Sequence, residues 1–145
     1  MTKKEFLKQL YTTHNLVEED VYLMNRKDKK TGKMKQIPII TRSGIEKVQN
    51  QNNIKVAFET IYCDLDGAVL KATSMRFDSN MDQFVPLVET YGSATKNNCK
   101  IHFLIETAEA RALARAIIKT MKWPGVYGEA EIDVQPAESL NALKS

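Results

Sequence analysis

The chain has 145 residues, with 21 Lys+Arg against 18 Asp+Glu and a formal net charge of +3. A single domain of that length buries roughly two-thirds of the surface its unfolded chain exposes, so its core needs no disulfide or metal staple. With 43% apolar and 27% charged residues and only 6 Gly and 4 Pro, the composition excludes a mainly disordered or low-complexity chain, and no apolar run is long enough for a membrane helix.

Residues 4–12 put Phe6, Leu7 and Leu10 on one side of a helical wheel, which predicts a short N-terminal helix. Glu5, Lys8 and Gln9 stand where a secretory leader requires an apolar core, so an intracellular, reducing compartment is expected. Cys63 and Cys99 suit it. With no CxxC and only His14 and His102 as imidazoles, they form neither a disulfide framework nor a metal site.

The apolar runs 21–24 and 37–40 flank a basic stretch holding Arg26, Lys27, Lys29, Lys30, Lys33 and Lys35 against Asp28, with Thr31-Gly32 as its turn. This pattern predicts a β-hairpin with a charged tip, and Pro38 belongs at an edge or on a non-bonded side. Residues 41–50 predict a short helix with Thr41 as N-cap, Ile45 and Val48 facing inward, and Asn52-Asn53 ending it. A strand follows over 54–63, with a phase shift between Phe58 and Ile61. Asp66-Gly67 is a hairpin-turn signal, and 68–77 is the return strand, with Leu70, Ala72 and Ser74 on one face and Val69, Lys71 and Thr73 on the other. Residues 84–92 make a further strand that Pro86 pushes toward an edge, and 96–100 a polar loop.

Residues 103–122 are rich in Ala, Glu, Arg and Leu and are closed by Pro124-Gly125, which predicts a long helix burying Leu113, Ile117 and Met121. The expected class is α+β: an antiparallel hairpin and meander sheet packed against a long C-terminal helix, in the order β-β-α-β-β-β-α. Residues 1–123 form the domain. Residues 124–145, acidic around Glu129, Glu131 and Asp133, are expected to be a loosely attached or partner-facing tail.

Asp64-x-Asp66-Gly67 after an apolar strand resembles the first motif of haloacid-dehalogenase-type phosphatases, in which the first Asp attacks phosphorus near a magnesium ion. No later paired-Asp motif follows, and the next segment reads as a strand. A hairpin turn is the stronger reading, and a small metal-dependent phosphatase the weaker alternative. No G-x-x-x-x-G-K-[ST] and no G-x-S-x-G occurs, so neither a cofactor nor an enzymatic activity is expected.

Arg111, Arg115, Lys119 and Lys122 recur at four, four and three residues, which aligns them on one helix face. Such a stripe is either a solvated face or a phosphate-binding one. The second cluster of charge on the hairpin, at Lys29, Lys30 and Lys33, favours phosphate backbone. Tyr22, Tyr62 and Tyr91 serve equally as stacking surfaces or as core.

Taken together, the helix, the hairpin running into Ile39-Ile40-Thr41-Arg42, the meander through Asp66-Gly67, the segment Val88-Glu89-Thr90-Tyr91-Gly92-Ser93-Ala94 and the helix Glu109-Ala110-Arg111-Ala112-Leu113-Ala114-Arg115-Ala116-Ile117 resemble the DNA-binding domain of Rad-fifty-two-type single-strand annealing proteins, including short phage relatives. The resemblance covers residues 4–123. It implies ATP-independent binding of single-stranded DNA and annealing of complementary strands in recombination and repair, by a homo-oligomeric ring. It also implies that Arg115 is the key basic position of the long helix, that Arg42 is the one opening the short helix, and that Lys96 or Lys100 makes an outer DNA contact. Ala114 stands where the family often carries a second base, and Arg111 or Lys119 would compensate. Expected partners are single-stranded DNA, further copies of the chain and a single-strand-binding or recombinase protein at the tail, with no membrane. For a phage-encoded member the compartment is the bacterial cytoplasm. A non-annealing nucleic-acid-binding accessory module is the other alternative.

Overall fold

The computed structural model describes residues 3–97 and 103–132. Its order is α1 (Lys3–Thr13), β1 (Val21–Lys27), β2 (Met34–Ile40), α2 (Arg42–Gln51), β3 (Lys55–Cys63), β4 (Gly67–Asp78), β5 (Gln83–Thr95), α3 (Leu104–Thr120), β6 (Tyr127–Gly128) and α4 (Glu129–Ile132). The class is α+β. Among the described residues no helix is long and apolar enough to cross a membrane.

The hairpin and the meander form two three-stranded sheets, β1-β2-β6 and β3-β4-β5, not one. The ten residues of α2 turn the chain away after β2, and the outer side of β2 takes β6 as its parallel neighbour at Ile39 and Ile40. Pro38, which has no N–H to give, lies just beyond that pairing, opposite Leu23. The phase shift in β3 is a bulge between Thr60 and Tyr62, where the extra residue resets which side chains face inward. At the β3–β4 turn one Asp64 carboxylate oxygen accepts the amides of Asp66 and Gly67, and the other accepts the Tyr62 hydroxyl. Asp64 thus closes an Asx turn.

α3 is the shared wall of the molecule. Ala108, Ala112 and Ala116, spaced by four, are fully buried and pack toward Ala68, Leu70 and Ala72 of β4. Side chains this small let helix and sheet approach closely. Thr90 Oγ1 then donates to the Ala112 carbonyl at 2.9 Å, and the Ser74 and Thr120 hydroxyls meet at 2.7 Å. The neighbouring face of α3, with Leu113, Ala114, Ile117 and Ile118, closes the main core with Leu10, Val21, Ile40, Ile45 and Val48.

α2 starts as expected, with the Thr41 hydroxyl accepting the Gly44 amide. Its N-terminus is anchored by Asp20, which is 1% exposed. The Asp20 carboxylate accepts Ser43 Oγ at 2.5 Å, Lys47 Nζ at 2.7 Å and the Val17 amide at 3.0 Å. Burial opposes its charge, but the hydrogen bonds from Lys47, Ser43 and Val17 outweigh that and hold its pKa below the ordinary carboxylate value. A depressed folded-state pKa adds stability above the unfolded value of about 3.9, which is lost as pH falls through the folded value. Asp20→Asn is expected to cost about 1–3 kcal/mol at neutral pH. Urea melts across the acid range should show the deficit shrinking below about pH 4 as the wild-type carboxyl protonates; a deficit independent of pH would contradict this.

Candidate nucleic-acid interface

The pairings Met24↔Ile37 and Arg26↔Lys35 put these four side chains on one face of the hairpin. A groove of about 440 Å³ lies between Met24, Arg26 and Ile37 on that face and Tyr91, Gly92 and Ser93 of β5, with Arg111, Tyr127, Glu131 and Ile132 completing its lining. Toward the hairpin tip a second hollow, of about 320 Å³, is lined by Arg26, Lys27, Asp28, Lys29, Lys30, Lys35 and Ile37. The two share Arg26 and Ile37 in their lining and so adjoin, together making up a trough. Its outer end is basic, with Asp28 paired to Lys35 at 3.1 Å. Its inner end carries two aromatic rings, Tyr91 at 60% and Tyr127 at 40% exposure.

Residues 126–132 build that inner end. The Tyr127–Gly128 strand and the single turn Glu129–Ile132 leave carbonyls without helical or sheet partners, and arginines of α3 satisfy them. Arg111 Nε donates to the Ala130 carbonyl at 2.9 Å and its NH1 to the Ser93 carbonyl at 2.7 Å. Arg115 NH2 donates to the Val126 carbonyl at 2.6 Å, and its Nε lies 3.2 Å from the Glu131 carboxylate. The Arg115 guanidinium also sits over the Tyr127 ring, 5.3 Å from its centroid, a cation–π contact. Burial raises the Glu131 pKa, against the Gly128 amide and the two arginine charges.

These contacts correct two expectations. α3 presents no solvent-facing stripe: Arg111 is 5% exposed, Arg115 is half-buried beneath 126–132, and Lys119 and Lys122 alone of the four are exposed. The segment after 123 is not a loosely attached tail through Ile132. Val126 lies in the main core, β6 pairs with β2, and Ile132 packs on Met24 and Ile39. Residues 133–145 lie outside the described residues.

Of the residues singled out for DNA binding, the trough brings together Lys29, Lys30 and Arg111, with Lys33 beside them in the hairpin turn. Arg42 lies elsewhere. It pairs with Glu46 at 2.9 Å and lines a separate cavity of about 540 Å³ among Ile40, Ile45, Phe103, Leu113 and Ala114. Among the described residues Arg42 and Arg115 line no common cavity, and each faces a carboxylate. Lys96 is held by Asp66 at 2.7 Å beside the β3–β4 turn. Lys100 lies outside the described residues. Tyr62 is at the β3–β4 turn, and the half-buried Tyr22 donates to Glu129 at 3.3 Å.

The sequence reading missed Tyr127, whose two-residue strand has no periodicity to betray it, and Glu131. Arg26, Lys27 and Lys35 were visible as hairpin charge without a place. Among the described residues no group of His, Cys, Asp and Glu is arranged to hold a metal ion. Comparison with family models, curated proteins and solved structures finds no match.

Proposed function

We propose that the chain binds single-stranded DNA along the trough between the hairpin and β5, and pairs complementary strands without ATP as a homo-oligomer acting in recombination and repair. The observation that carries the reading is the trough itself: five basic side chains line its outer hollow, and two exposed tyrosines line the inner groove, which shares Arg26 and Ile37 with it. Lysines and arginines bind phosphates by releasing counterions, whatever the sequence. Aromatic rings stack on bases, which single strands offer and duplexes hide. We read the two sheets around α3 as the annealing-protein core that the resemblance implies.

Annealing needs strands held together at high local concentration, which several copies of one chain supply. The outer edge of β3 favours such assembly. Among the described strands it has no neighbour on that side, and Ile61, Tyr62 and Leu65 are exposed beside it. A long apolar edge is a template for pairing with another chain.

Solution mass with and without a long single strand, together with strand pairing of bare complementary oligonucleotides without nucleotide, tests the proposal. The expected result is a large discrete assembly, stabilised by the strand, that accelerates pairing at least about tenfold over the bare strands, as avidity requires. Binding without pairing would place the chain among accessory modules instead. A monomer that binds no strand would refute the reading altogether.

A further inference from the structure

We infer that the inner end of the trough is a pocket for one nucleobase, which it stacks without reading. The inference deepens the proposed function and rests on it. The two ends of the trough are chemically different. Around Lys29 and Lys30 the lining is charged, with Ile37 its one apolar side chain, so that end suits phosphates. The inner end is lined by the rings of Tyr91 and Tyr127, with Arg115 over the Tyr127 ring, and by apolar Met24 and Ile132. About 440 Å³ leaves ample room for a planar base together with part of its sugar, within the range of ligand pockets. Arg26 belongs to both ends, where it can hold the phosphate of a nucleotide whose base enters the pocket. The Tyr127 ring is fixed in plane by Arg115 over it, so little side-chain freedom is lost when a base stacks.

Two charged groups of the pocket wall, Arg111 and Glu131, are engaged by the protein itself. Arg111 is committed to the Ser93 and Ala130 carbonyls, and Glu131 to the Gly128 amide and Arg115. Base discrimination needs donors and acceptors aimed at base edges. With Arg111 and Glu131 spent internally, the pocket's two charged inner-wall groups are not offered to a base edge, and it takes a base by its π-face.

The test uses fluorescence anisotropy of the full chain with labelled oligothymidine and with an abasic phosphodiester of the same length. The intact strand should bind at least about fivefold more tightly than the abasic one. Tyr91→Ala and Tyr127→Ala should each narrow that gap, and Tyr91→Phe and Tyr127→Phe should keep it. Thymidine, cytidine and adenosine homopolymers should agree within about fivefold. Equal binding of intact and abasic strands would overturn the pocket while leaving backbone binding standing. A homopolymer preference of tenfold or more would overturn the absence of reading. Failure to bind either strand would overturn both this inference and the function beneath it.

Discussion

Replacing Lys29, Lys30 and Lys33 together by alanine is expected to weaken single-strand binding roughly a hundredfold near ~0.1 M salt. Each phosphate neutralised on a single strand contributes a slope of about −0.7 in log affinity against log salt. Removing three such charges should therefore flatten the salt dependence by about two units, and about two units of slope amount to about two decades between ~1 M and ~0.1 M salt. All three side chains are exposed at the hairpin tip. The turn is held by groups the substitutions spare: the Asp28 amide on the Lys33 carbonyl at 2.8 Å, and the Gly32 amide on the Asp28 carbonyl at 2.8 Å. The variant should fold as the wild type does, so lost affinity reports lost charge. A salt titration of anisotropy reads the slope directly, and an unchanged slope would remove the hairpin from the interface.

Gly92→Ala is expected to cost about 3 kcal/mol or more, as forced overpacking does at its upper end. A Cβ at this position would stand 2.1 Å from the Ala108 carbonyl oxygen and 2.4 Å from the Ala112 amide nitrogen. Both obstacles are backbone of α3, which cannot swing aside as a side chain does. The helix must lift from β5, and the Thr90–Ala112 hydrogen bond stretches with it. A melting temperature lower by roughly 10 °C is the corresponding signal for a domain of this size. Ser93→Ala, at the exposed neighbouring position, should stay within about 0.5 kcal/mol of wild type. Gly92 also lines the trough between Tyr91 and Arg111, so Gly92→Ala should lose strand affinity at temperatures where it remains folded. A Gly92→Ala melting curve superimposed on the wild type would mean that α3 and β5 are not in such close contact.

Local chemistry made most elements legible from sequence. Thr41 announces α2 because a hydroxyl is what the unpaired amides of a first turn need. Asp66-Gly67 announces the β3–β4 turn, and the slip between Phe58 and Ile61 announces a bulge. Each is decided within a few residues. The division into two sheets was not legible, because it depends on β2 choosing β6, eighty-odd positions further on, over β3. The fate of Arg111 and Arg115 was hidden for the same reason. Their spacing places them on one side of a helix, but whether that side meets water is settled by what the chain after Pro124 does. A two-residue strand and a one-turn helix carry no periodic signal. The basic hairpin was legible as a concentration of charge, and Tyr91 as a residue with two possible fates. Their meeting in one trough is a tertiary fact.

The way residues 126–132 are built in bears on any attempt to trim the molecule. Cutting after Trp123, where composition suggests a natural seam, would strip Val126 from the interior. It would also take away one of the two rings at the inner end of the trough, and with it the Ala130 and Val126 carbonyls that Arg111 and Arg115 bind. A self-sufficient piece must run at least through Ile132, and the seam in composition is not a seam in space.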